Sequence, residues 1–78
     1  MTLRDLRKQA KMTAKEVADK LGVSPFAIYN YERGDRNVDI LMAVNMALIY
    51  DVSLDEFINA YMKTRFNNNQ LDLSNSQQ

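Results

Sequence analysis

The side chains of this chain that could do chemistry are mostly cations. Residues 1–36 hold eight basic groups (Arg4, Arg7, Lys8, Lys11, Lys15, Lys20, Arg33, Arg36) against five acids (Asp5, Glu16, Asp19, Glu32, Asp35), a net of +3. The remainder carries Lys63 and Arg65 against Asp39, Asp51, Asp55, Glu56 and Asp72, a net of −3, so the whole sums to zero. A basic half backed by an acidic half would orient a small domain on a polyanion. Other chemistries are poorly supplied. There is no cysteine and no histidine, which removes the thiolate and the commonest general base and metal ligand. Asp55 and Glu56 are adjacent acids, but they follow Ser53 at a helix start, where the helix dipole favours negative charge. No nucleophile–base set, paired carboxylates or phosphate loop can be assembled. The chain therefore reads as a non-enzyme with no catalytic residue, no metal and no cofactor.

The elements that must position these cations are written most clearly between Thr13 and Glu32. Thr13 can cap a helix, with Glu16 three residues on to complete a capping box. Val17, Ala18 and Leu21 follow at helical spacing. Gly22 stands where a chain leaving a helix needs a left-handed backbone. Val23 plugs the turn, Ser24 is an N-cap, and Pro25 suits the first position of the next helix. Ile28 and Tyr31 give that helix an inward face, and Ala18 is small enough for a close crossing. Two short helices joined in this way form a helix-turn-helix, whose second helix enters the DNA major groove.

The same reading extends along the chain. A first helix is expected from about Leu3 to Lys11, with Thr2 as cap and Leu3, Leu6, Arg7 and Ala10 on one face. Helices are expected near 14–21 and 25–33, the latter ended by Gly34. A fourth begins around Asp39 or Ile40 and ends near Tyr50. Ser53 and Glu56 open a fifth through another capping box, with Leu54, Phe57, Ile58, Tyr61 and Met62 at helical spacing to about Phe66. Residues 1–66 thus form one domain, and the polar stretch 67–78 reads as a disordered tail. There is no strand-like alternation. The opening M-T-L-R-D-L-R-K lacks the apolar core of a signal peptide, and the apolar run Ile40 to Tyr50 is too short to span a bilayer. A soluble cytoplasmic protein with no membrane association is expected.

The fragments L-R-D-L-R-K (3–8), A-D-K-L-G-V-S (18–24), I-Y-N-Y-E-R-G (28–34) and D-V-S-L-D-E-F (51–57) stand in order and at the right spacing. Together they resemble the Cro/repressor-type (XRE-like) helix-turn-helix family, over roughly Leu3 to Phe57. The resemblance implies an all-α, compact five-helix domain of the lambda-repressor-like type that binds palindromic operators in double-stranded DNA as a homodimer. It implies a buried ion pair between Arg7 and Glu32. Arg7 independently falls on the apolar face of the first helix. Carried over by position, the base-reading residues are Pro25, Phe26, Ala27, Tyr29 and Asn30. An asparagine amide can pair bidentately with adenine, and Phe26 can pack on a thymine methyl. Lys15, Arg33, Arg36 and Asn37 are the expected contacts to the DNA backbone. Two departures from the family pattern stand out: Ala14 replaces the common glutamine at the start of the second helix, and the recognition face is unusually apolar.

The fourth helix, I-L-M-A-V-N-M-A-L-I-Y, is apolar almost all round. Ile40, Ala43, Val44, Ala47 and Tyr50 form one stripe assigned to the core. Leu41 and Leu48 form a second, and with Met42 and Tyr61 they make a candidate dimer or partner interface. The leading function is a sequence-specific transcriptional regulator, a small phage or bacterial repressor or Cro-like protein. The alternative is a protein-interaction module on the same fold, antirepressor or antitoxin-like, that binds DNA weakly or not at all.

Overall fold

The computed structural model describes the backbone of residues 1–76 and the side chains of residues 1–66. Five helices follow in order: α1 (Leu3–Gln9), α2 (Ala14–Leu21), α3 (Pro25–Arg33), α4 (Ile40–Tyr50) and α5 (Leu54–Ser76). No strand occurs among the described residues. The described residues form the all-α, five-helix arrangement that the resemblance implies.

Local chemistry sets most of the boundaries. Thr2 and Asp5 form a capping box on α1, and Thr13 and Glu16 form one on α2. Ser24 Oγ accepts from Ala27 N–H at α3, and Asp39 Oδ1 accepts from Met42 N–H at 2.8 Å at α4. Ser53 and Glu56 exchange backbone-to-side-chain bonds at α5. Each such cap contributes about 1 kcal/mol by satisfying an amide the helix leaves open. Gly22 and Gly34 close α2 and α3 with left-handed backbones, φ 73° and 79°.

Two helix ends differ from expectation. α1 stops at Gln9 rather than near Lys11, because Lys11 itself takes the left-handed conformation, φ 59°. Met12 N–H then bonds Arg7 O at 3.2 Å, the six-to-one closure that ends a helix. A lysine in that role carries no sequence signal. α5 continues past Phe66 to Ser76, and residues 67–76 hold no glycine or proline to break it. Of the tail expected over residues 67–78, the side chains and residues 77–78 lie outside what the structure describes.

The helices enclose one core of Leu3, Leu6, Val17, Ala18, Ile28, Tyr31, Ala43, Met46, Ala47, Tyr50, Phe57 and Ala60, with others packed around it. Phe57 at its centre is wholly buried. Here α4 corrects the sequence reading. Met46 is buried with Ala43, Ala47 and Tyr50, whereas Ile40 and Val44, assigned above to the core, are exposed. With apolar residues on every side of α4, periodicity alone could not choose which arc faces inward; Tyr50 and the two alanines turn it so that Met46, not Val44, points in.

Long-range polar ties fasten the ends. Leu3 N–H donates to Thr64 Oγ1 at 2.9 Å, and Thr64 Oγ1–H donates to Ala60 O at 2.9 Å. Val38 N–H donates to Tyr61 Oη at 2.9 Å, and Arg65 Nη1 donates to Gly34 O at 2.8 Å. The loop after α3 is thereby tied to α5 at both ends.

Candidate nucleic-acid interface

α3 is tied to α1 by an ion pair between Arg7 and Glu32. Arg7 Nε donates to Glu32 Oε2 at 2.6 Å and Nη2 to Oε1 at 3.1 Å, while Nη1 donates to Met12 O at 3.1 Å. The two side chains are only 11 % and 5 % exposed. A planar guanidinium meeting a carboxylate through two parallel bonds fixes direction as well as distance. The Glu32 hydrogen bonds raise the Arg7 pKa above its ordinary value, outweighing burial. Tyr50 Oη is buried without a hydrogen-bond partner, and desolvation, with the Glu32 charge adding to it, pushes the phenol well above its usual range.

The outer face of α3 carries Phe26, Asn30 and Arg33 at positions i, i+4 and i+7, one continuous stripe along a helix. Phe26 is 67 % exposed at its N-terminal end. Arg33 lies with its guanidinium 6.0 Å from the Phe26 ring centroid, its Nε 3.0 Å from Asp35 Oδ2, and Nη2 donating to Asn30 Oδ1. Tyr29 is exposed beside this stripe, and its ring centre lies 6.0 Å from the Arg7 guanidinium. Pro25 is exposed at the first position of the helix. Ala27, expected among the base readers, is buried instead. It packs α3 onto the core.

Of the expected backbone-contact residues, Arg33 belongs to the stripe, Lys15 is on α2, and Arg36 and Asn37 follow α3. Lys15 is exposed on α2 and pairs with Asp19 Oδ2 at 3.0 Å, a surface pair of small energetic weight. Arg36 and Asn37 are exposed in the loop after α3, and the Arg36 guanidinium sits 5.7 Å from the Tyr31 ring centroid. Ala14 is buried, so the position where the family often has glutamine is a packing position here. Two cations that the sequence reading left unassigned join the site. Arg4 and Lys8, one turn apart on α1, line a hollow together with Arg7, Met12, Thr13, Tyr29 and Arg33. Their i, i+4 spacing on either side of Arg7 is the signal that could have placed them there. Among the described residues no group of three or more Asp, Glu, His or Cys is arranged to hold a metal ion. No helix is long and apolar enough to cross a membrane.

A family model described as Helix-turn-helix matches residues 3–57, the span from the start of α1 to the first turn of α5. The chain belongs to this XRE-type helix-turn-helix family. Among similar helix-turn-helix proteins, the uncharacterized HTH-type transcriptional regulator YqaE of Bacillus subtilis (strain 168) is 45 % identical over 53 residues, covering 68 % of this chain and 46 % of that protein. The uncharacterized HTH-type transcriptional regulator YobD of the same organism is 36 % identical over 53 residues, covering 68 % of this chain and 47 % of that protein. The helix-turn-helix chain thus spans less than half the length of these curated relatives. No solved structure matches it significantly.

The candidate interface residues of α4 divide. Leu41 and Leu48 are 70 % and 73 % exposed and share a face with Ile40 and Val44. Met42 packs in part against the core, and Tyr61 is half-buried, its ring stacked on Phe57 at 6.5 Å and its hydroxyl bound to Val38. Met42 and Tyr61 therefore belong to the fold more than to a free surface.

Proposed function

We propose that this chain is a sequence-specific DNA-binding transcriptional regulator, a small cytoplasmic repressor that binds a palindromic operator as a homodimer. The observation that carries the reading is the Phe26–Asn30–Arg33 stripe on α3, exposed at Phe26 and Arg33 and half-buried at Asn30. Arg4 and Lys8 share a hollow with Arg33, and Lys15 and Arg36 are exposed on α2 and in the loop after α3. In this reading α3 enters the major groove and presents Pro25, Phe26, Tyr29 and Asn30 to base edges, and the surrounding cations meet phosphates. Phe26 supplies an apolar contact for a thymine methyl. Occupying an operator excludes other proteins from it, which suffices for repression without a further activity.

Two copies would meet through the α4 face of Ile40, Leu41, Val44 and Leu48, which carries no charged residue. A two-fold pairing sets two recognition helices about one DNA turn apart, ~34 Å. The same exposed apolar face favours the second reading, a module that binds another protein rather than DNA.

Selection from a random duplex pool, followed by titration at two salt concentrations, tests the reading. An enriched palindrome bound less tightly as salt rises is the expected result, because each neutralised phosphate releases counterions. No enrichment and no binding at low salt would overturn it in favour of a protein partner.

A further inference from the structure

Asn30 is the one amide on the recognition stripe, and a free asparagine amide reads adenine by giving Nδ2–H to N7 while Oδ1 accepts from the N6 amino group. In this chain Oδ1 is already engaged, because Arg33 Nη2 donates to it. The orientation of the amide follows from the chemistry of its partner. A guanidinium carries only donors, so the Asn30 atom facing it must be the oxygen, and the alternative flip would set donor against donor. Arg33 is itself anchored. Its Nε is 3.0 Å from Asp35 Oδ2 and its guanidinium lies 6.0 Å from the Phe26 ring centroid.

We infer that Arg33 is a positioning residue that turns Asn30 into a hydrogen-bond donor, so that Asn30 selects guanine rather than adenine. The inference rests on the DNA-reading function proposed above and specifies its chemistry. With Oδ1 held by Arg33, the amide offers its NH₂ group to the groove. Guanine presents two acceptors there, N7 and O6, whereas adenine presents N7 beside an amino donor that would have to share Oδ1 with the Arg33 guanidinium, donor beside donor. Asp35 offsets the Arg33 charge at the same time, which makes this arginine a poorer phosphate clamp than Arg36 and a better brace.

The test compares the base preferences of the full chain and of two variants in selection from a random duplex pool. The base pair read by residue 30 is the one whose preference disappears in Asn30→Ala. In the unaltered chain that base is expected to be guanine. Arg33→Met keeps a long side chain over Phe26 but cannot donate, and it should move the preference toward adenine by roughly tenfold, the worth of one hydrogen bond of discrimination. Adenine at that position in the unaltered chain, or an unchanged guanine preference in Arg33→Met, overturns the inference while leaving the DNA-reading function standing. A pool that enriches nothing for the unaltered chain overturns both. If Arg33→Met enriches nothing, the Asn30 Cγ resonance of the free proteins decides. A shift of that carbonyl on replacing Arg33 supports the brace, and an unmoved resonance sinks it.

Discussion

The backbone N–H of Leu3 and the hydroxyl of Thr64, sixty-one positions apart, meet at 2.9 Å inside the domain. The first amide of α1 has no partner within its own helix, and the threonine of α5 supplies one while its own hydroxyl donates a hydrogen bond to Ala60 O. Both ends of the folded unit are joined by this contact.

Replacing Thr64 with valine keeps the shape and removes the acceptor. The Leu3 amide is then buried without a partner, at a cost of about 1–3 kcal/mol. Urea unfolding should report the loss as a lower midpoint with an unchanged slope. An unchanged midpoint would mean that water reaches the amide.

The Arg7–Glu32 pair should be costly to halve and cheap to replace as a unit. Glu32→Ala leaves a guanidinium buried with no countercharge and should destabilise by about 3–5 kcal/mol. The double variant Arg7→Met with Glu32→Leu should recover most of that loss. A double-mutant cycle by chemical denaturation measures the coupling, and additive losses would refute a direct pair.

Tyr50 gives a prediction in the opposite direction. Its buried hydroxyl has no hydrogen-bond partner, so Tyr50→Phe removes an unsatisfied polar group and should raise stability by about 1 kcal/mol. Burial raises the phenol pKa in the folded state above its ordinary value of 10.0. The folded state therefore holds the proton more tightly, and the contribution is complete below pH ~10 and is lost as pH rises beyond it. Thermal unfolding of the parent chain should fall off above that pH, and the phenylalanine variant should fall off less.

The α4 face is tested by charge. Leu48 is 73 % exposed, so Leu48→Glu should change stability by no more than about 0.5 kcal/mol. If two copies pair there, the same change should make the chain monomeric by analytical ultracentrifugation and weaken binding to a palindrome more than to a half-site. An unaltered sedimentation profile would place any self-association elsewhere.

Much of the fold is legible in the sequence because its signals are local. A capping box needs only Thr13 and Glu16, and a left-handed helix end needs only Gly22 or Gly34. Where such signals are missing the reading fails. Lys11 ends α1 in a conformation usually left to glycine, and α4 carries no charge to mark its outer side, so Val44 and Met46 change places. Ala27 follows a family position that in this chain is a packing position. The Asn30–Arg33 contact depends on rotamers, which spacing can permit but not choose.

The bonds from Val38 to Tyr61 and from Gly34 to Arg65 reach α5 at positions one turn apart. The loop between them, which carries Arg36 and Asn37, is spanned like a bridge between two piers. A partner meeting this loop finds it already ordered and owes no entropy for freezing it. Docking there is a rigid-body event, so association at this edge should be fast and its heat-capacity change small, without the signature of a segment that folds on contact.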